Sequence, residues 1–380
     1  MNRCMIGLCV VVFFLLLGDL SVFAQTPDEV YAEQWQASGA ENLPESLPPE
    51  TRALLERLGI TGVEATDFSE SSPKTWLTEL WKLVKELIKK PLTAGSAVMG
   101  MVLLYMWVDG MRHTLRTEEV STVFGAVCSL AACGTVMIPL SDQLEAVHRA
   151  MESVSVFMTS FVPVYAGVLI SGGQASVAVS FQSMVLYVAE LLSWVAGKVV
   201  VPLLTVALAF GLTGSLTPEL KLGRVGALTG KVAGWILTFG SVLFSGMLSL
   251  QSLVGGAADR LGDRALRFSI AQFVPVVGGS ISEAFSTIRG CLHVLRSTIG
   301  GFGIAATLLI VLPPLITCFI WTVMLTISET AADIGGLSSF SELLKTAKQV
   351  LRSLIGILCI SGTLLTVAIT VVTLAVGGGT

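Results

Sequence analysis

Apolar and polar positions along this chain fall into three regimes. Gln25 to about Ser72 is polar, with Pro44, Pro48 and Pro49 inside it, and reads as a small, partly flexible segment. Thr75 to Lys90 switches to helical period. Trp76, Leu77, Leu80, Trp81, Leu83, Val84, Leu87 and Ile88 fall on one arc of roughly 160°, and Glu79, Lys82, Lys85, Glu86, Lys89 and Lys90 fill the other. That pattern predicts an amphipathic helix ending near Pro91. It fits a helix lying at the headgroup level, with Trp76 and Trp81 as interfacial anchors, and equally a helix packed on another protein or on its own domain. Beyond it the apolar runs become long enough to cross hydrocarbon: Leu92–Val108, Val120–Leu140, Leu191–Leu212, Val232–Val254, Gly300–Ile327 and Ser353–Val376.

The second half of the chain repeats itself. Phe161-Val162-Pro163-Val164 recurs as Phe273-Val274-Pro275-Val276, and the same offset of 112 carries Pro202-Leu203-Leu204-Thr205 onto Pro314-Leu315-Ile316-Thr317. Both copies have basic loops, Lys221, Arg224 and Lys231 in one and Lys345, Lys348 and Arg352 in the other. Basic short loops face the cytoplasm, so the repeat is parallel and not inverted. Pro163 and Gly167, and Pro275, Gly278 and Gly279, are predicted to break their helices, because proline lacks a backbone donor and glycine frees the chain. Such breaks mark a pathway through the membrane or a packing kink; Pro202 and Pro314 join them as paired candidates.

The expected architecture is therefore an all-α integral membrane protein. The divisions are a signal peptide at 1–24, an exported acidic segment at 25–72, the amphipathic helix at 73–91, two spans at 92–140, and repeat copies at 141–256 and 257–380. Each copy comprises a re-entrant hairpin plus two transmembrane helices, which gives six spans. Ten full crossings is the competing count.

Composition agrees: 53% of residues are hydrophobic and 13% charged, against about 25% charged in soluble domains. Arg3, the apolar core Met5–Leu17 and Val22-Phe23-Ala24 have the order of a secretory signal; an uncleaved first helix is the other reading. Gln25 to Lys90 holds twelve acidic and seven basic residues, a balance that argues against nucleic-acid binding. Of the seven cysteines, none lies in the exported segment, so no disulfide framework is indicated.

Ionisable residues within apolar sequence are the remaining candidates for function. Glu190 and Lys198 fall in or near an apolar helix, eight residues and roughly 12 Å apart, too far to pair. In the second arm of copy two, Glu283, Ser286, Arg289, His293 and Arg296 gather opposite Ile281, Phe285, Ile288, Leu292, Leu295 and Ile299. That polar face either lines water, docks a partner, or rests at the interface with snorkelling arginines. Gly226 to Lys231 fails the phosphate-loop spacing, His113, His148 and His293 lack metal-ligand spacing, and no nucleophile motif is present. No enzyme, cofactor or metal site is expected.

The signal, the acidic front, the Trp-bearing amphipathic helix and the stretch Phe273-Val-Pro-Val-Val-Gly-Gly-Ser-Ile-Ser-Glu-Ala together resemble the stage III sporulation protein AE family of endospore-forming bacteria. The resemblance covers Thr75 to the C-terminus. It implies a non-enzymatic mother-cell membrane protein, multi-pass, in the channel complex that connects mother cell and forespore. The partners it implies are an ATPase, ring-forming proteins and other membrane proteins. The contrasting expectation from the residues is a self-sufficient secondary transporter or permease of a small solute, coupled through Glu190, Lys198 and Glu283, with the arginines favouring an anionic one.

Overall fold

The computed structural model describes residues 27–60, 62–63, 73–112, 118–216 and 278–377, with scattered positions between 228 and 246. The signal-peptide region, Pro275 and the rest of the second F-V-P-V motif lie outside the described residues. Chain order gives α1 (Pro27–Ser38), a 3₁₀ segment (Ala40–Ser46), α2 (Pro49–Arg57), α3 (Pro73–Leu87), α4 (Lys89–Arg112) and α5 (Glu118–Ser171). There follow α6 (Ala175–Trp194), a π-helical stretch (Val195–Val200), α7 (Val201–Leu216), α8 (Gly278–Ile334) and α9 (Ser338–Gly377).

The described chain is thus nearly all helix, and among its described residues five helices are long and apolar enough to cross a membrane. Hydrocarbon offers backbone groups no partner, so each apolar run closes its hydrogen bonds internally. Threonines do the same with their hydroxyls: Thr307, Thr317, Thr322, Thr326 and Thr330 each donate to the carbonyl four residues back. The result is a multi-pass membrane protein. Two helices far exceed one bilayer: α5 has 54 residues and α8 has 57, roughly 80 and 85 Å at 1.5 Å per residue, against a hydrocarbon core of about 30 Å.

The helix break expected at Pro163 and Gly167 does not occur. Phe161–Val164 lies inside the unbroken α5, and Pro163 and Gly167 are both exposed on it. Prolines are tolerated within membrane helices where neighbours hold the chain, and here the opposite side of α5 is locked by packing. Phe157, Phe161 and Tyr165 form a stripe at four-residue steps, with stacked rings 5.6 and 5.5 Å apart. Phe302 of α8 and Phe181 of α6 close on that stripe at 6.4 and 5.3 Å. Opposite it stand Gly300 and Gly303 of α8, where any Cβ would meet Tyr165 and Phe161 respectively.

The hairpin turn instead falls at Gly172–Gln174. Gly173 takes φ +80°, its amide bonds Ile170 O at 2.9 Å, and the Gln174 amide bonds Leu169 O at 3.0 Å. This Schellman cap satisfies the last carbonyls of α5. The α8–α9 connection repeats the device with Gly336 at φ +73° and Leu337 N–H on Ala332 O. Behind that second turn, Lys348 of α9 pairs with Glu329 of α8, both side chains almost wholly enclosed at 13% and 12% exposure.

Pro27 to Val63 is not a loose leader. Leu43, Leu47, Leu55, Leu58, Ile60 and Val63 are all at most 4% exposed and join the same apolar core as the long helices. Arg52 ties the turn together by donating to Pro44 O and Glu45 O. The segment expected to be partly flexible thus contains a folded helical unit resting on α5 and α8.

Two stability outcomes follow from these contacts. Gly303→Ala must displace the Phe161 ring and is expected to lower stability by about 1–3 kcal/mol, read from unfolding of the purified protein in detergent. Gly301→Ala, whose Cβ meets nothing within 4 Å, is the control; equal stability of the two variants would refute the close-approach account. Glu329→Gln leaves a buried lysine unpaired and should cost about 3 kcal/mol. The double change E329Q/K348M should restore most of that loss, and failure to do so would refute the pairing.

Candidate functional site

The paired prolines are built differently. Pro202 is the second residue of α7, directly after the π-helical stretch Val195–Val200, whose wider turn accommodates a ring that cannot donate. Pro314, its counterpart by the 112-residue offset, sits next to Pro313 inside the continuous α8. Gly278 and Gly279 are the first described residues of α8.

The π-helical stretch carries Lys198, which is exposed, and Gly197, which receives the imidazole of His148 from α5. Before it, on α6, Glu190 accepts a hydrogen bond from the Ser155 hydroxyl of α5 at 3.1 Å. Glu190 and Lys198 therefore each meet α5 or the surroundings separately and do not converge on a shared pocket. Sequence reading singled out both but missed Ser155 and weighed His148 only as a metal ligand; their neighbours Glu190 and Gly197 reach them through the packing of α5 against α6 and the π-helical stretch.

On α8 the amphipathic reading holds for Leu292, Leu295 and Ile299, all buried, and for His293, which is exposed. It fails for Arg296, placed on the polar face but only 8% exposed. The position lies on the border of the apolar arc, one residue after Leu295, and the neighbouring helices close over it. Arg296 Nη2 lies 3.1 Å from His293 Nδ1, and Tyr165, whose hydroxyl shares a 2.6 Å hydrogen bond with Thr373 Oγ1, is within electrostatic reach. Arg296 Nε has no partner among the described residues. Three helices, α5, α8 and α9, thus assemble a polar knot inside the apolar bundle. Tyr165 could have been found from its four-residue step after Phe161; Thr373 could not. The side chains of Glu283 and Arg289 lie outside the described residues.

Farther along α8 a second buried contact sets Cys318 Sγ 3.7 Å from Gln143 Oε1 of α5. Among the described residues no three His, Cys, Asp or Glu side chains form a group able to hold a metal ion.

The amphipathic α3 divides its apolar face. Leu83 is buried, with Leu80 beside it, in the crevice lined by Leu54, Leu58 and Leu309. Leu77 and Trp81 point outward at 69% and 62% exposure, with the Lys85 ammonium 5.8 Å over the Trp81 ring. Both sequence readings of this helix, packed and interfacial, thus have a side of their own; Trp76's side chain lies outside the described residues.

Comparison with known proteins places this architecture. The profile of the family described as Stage III sporulation protein AE matches residues 63–376. Over 249 residues the chain is 24% identical to Stage III sporulation protein AE of Bacillus subtilis (strain 168), an alignment covering 64% of this chain and 61% of that protein. The aligned part is thus less than two thirds of the relative's length. No solved structure matches. With a family match that takes in every long helix from α4 to α9, the chain belongs to the stage III sporulation protein AE family.

Proposed function

We propose that this chain is a non-enzymatic transmembrane component of a sporulation-specific secretion or feeding channel between mother cell and forespore. In this reading it sits in the mother-cell membrane with its mature N-terminus on the exported side. There it works with an ATPase, ring-forming proteins and other membrane proteins of the same assembly. Its two parallel copies act as a scaffold on which those partners are seated.

The observation that carries the reading is the family match over residues 63–376. The architecture supports it in two ways. Helices of 54 and 57 residues reach well past one hydrocarbon layer and so offer extramembrane length to a larger assembly. The folded unit of α1 and α2 is fastened to α5 and α8, so a partner bound there would be rigidly coupled to the membrane bundle. A self-sufficient transporter needs its coupling residues gathered at one binding point, whereas Glu190 is engaged by Ser155 and Lys198 stands exposed on the π-helical stretch.

The test is purification of the tagged full chain from cells during spore engulfment, with partner identification by mass spectrometry and solute uptake measured after reconstitution into vesicles. The expected result is co-purification of an ATPase and ring-forming sporulation proteins, with no uptake by the chain alone. Uptake by the isolated protein that is lost in Glu190→Gln or Lys198→Gln would overturn the proposal in favour of the transporter.

A further inference from the structure

A large groove lies away from the polar knot. It runs between α9 and the described positions Gly234, Trp235, Thr238, Phe239 and Val242, with a volume of about 680 Å³, within the range of ligand pockets. Along α9 its lining runs from Gln349 and Arg352 through Gly356 to Ile360. The facing wall includes Trp235, Phe239 and Val242. Trp235 is 81% exposed, a large apolar surface left uncovered.

Three features identify the occupant. First, the polar end falls on the membrane boundary as the sequence draws it. Arg352 is the last charged residue of the chain, and Ser353 to Thr380 carries none. The opposite wall likewise follows Lys231, after which no charged residue occurs until Asp259. On α9 the groove therefore passes from Arg352 onto uncharged sequence.

Second, Arg352 differs from the other cations of its row among the described residues. Lys345 is bound to Asp333 and Lys348 to Glu329, whereas Arg352 is exposed and makes no ion pair among the described residues. The two hydroxyls at the groove are also spent on their own helices: Thr238 donates to Gly234 O and Ser353 to Gln349 O. The guanidinium is thus the charged group left to recognise a ligand, with the Gln349 amide beside it, and it is suited to a phosphate oxygen pair.

Third, the groove is open because two helical positions lack side chains. Among the described residues, an added Cβ on Gly234 or Gly356 would meet nothing within 4 Å.

We infer that this groove binds one anionic phospholipid, its phosphate on Arg352 and an acyl chain laid along Gly356, Ile360, Phe239 and Val242. Basic pockets between membrane helices on the cytoplasmic side are suited to such headgroups. The inference stands independently of the channel reading, because it rests on the groove and its charge.

The experiment is native mass spectrometry of the purified full chain after detergent delipidation and titration with phosphatidylglycerol or phosphatidylcholine. The wild-type protein should retain phosphatidylglycerol about fivefold better. Arg352→Gln should abolish that preference, and Arg352→Lys should keep much of it. Gly356→Leu should expel both lipids, and Gly234→Leu, filling the groove from the other wall, should do the same, so that one misfolded variant does not decide the matter. Equal retention of the two lipids by the wild type, or an unchanged preference in Arg352→Gln, overturns the proposal. Displacement of phosphatidylglycerol by inorganic phosphate alone would reduce the site to a headgroup-free anion contact and also overturn it. A loss of self-association in Gly356→Leu with lipid retention unchanged would assign the groove to a helix of a second copy and exclude the lipid from it.

Discussion

The bundle depends on the contact between the aromatic stripe of α5 and the glycine surface of α8. In hydrocarbon, apolar side chains gain little by leaving lipid for one another, so helices associate where small residues let them approach closely. Gly300 and Gly303 make such a surface, and Tyr165 and Phe161 fill it. The stripe then gathers the other helices: Phe181 brings α6 against Tyr165, and Thr373 brings α9 to the same hydroxyl. Gly211 of α7 extends the principle to α9, where any Cβ would come within 2.7 Å of Thr346 Cγ2.

Charge is managed by the same geometry. Buried ionisable groups are costly unless paired, and the bundle engages Glu329 with Lys348 across two helices that the sequence separates; Glu190, which is exposed, meets Ser155 of α5 in the same cross-helix way. Arg296 is the exception, enclosed beside His293 and Tyr165 with one nitrogen unpartnered among the described residues. Arg352 stands at the opposite extreme, exposed at the mouth of an apolar groove. One arginine helps to hold three helices together, while the other is left for something outside the chain.

The helical, membrane-crossing character was legible in the sequence, because uncharged runs of bilayer length have no other stable conformation in lipid. The amphipathic α3 was legible from its period, as was the burial of Leu292, Leu295 and Ile299. The reading of Pro163 as a break was not sound. It took the missing donor of one residue as decisive, whereas the rings of Phe157, Phe161 and Tyr165 on the other side of α5 hold that helix straight. Likewise the proline and polar content of Gln25 to Ser72 suggested looseness, yet six apolar residues between Leu43 and Val63 help to seat its described helices, α1 and α2, on the long helices.

By itself the sequence determined that the long apolar runs and the amphipathic stretch 75–90 are helical, where charged loops punctuate them, and, through its Gly-rich and Pro-bearing stretches, the family to which it belongs. These are local properties, set by backbone hydrogen bonding and by the cost of burying charge. Only the tertiary structure decided that Tyr165 meets Thr373, that Arg296 is enclosed, and that Arg352 faces a groove emptied by Gly234 and Gly356. Those outcomes depend on which helix faces lie together, and residues 208 positions apart in sequence carry no local signal of their contact.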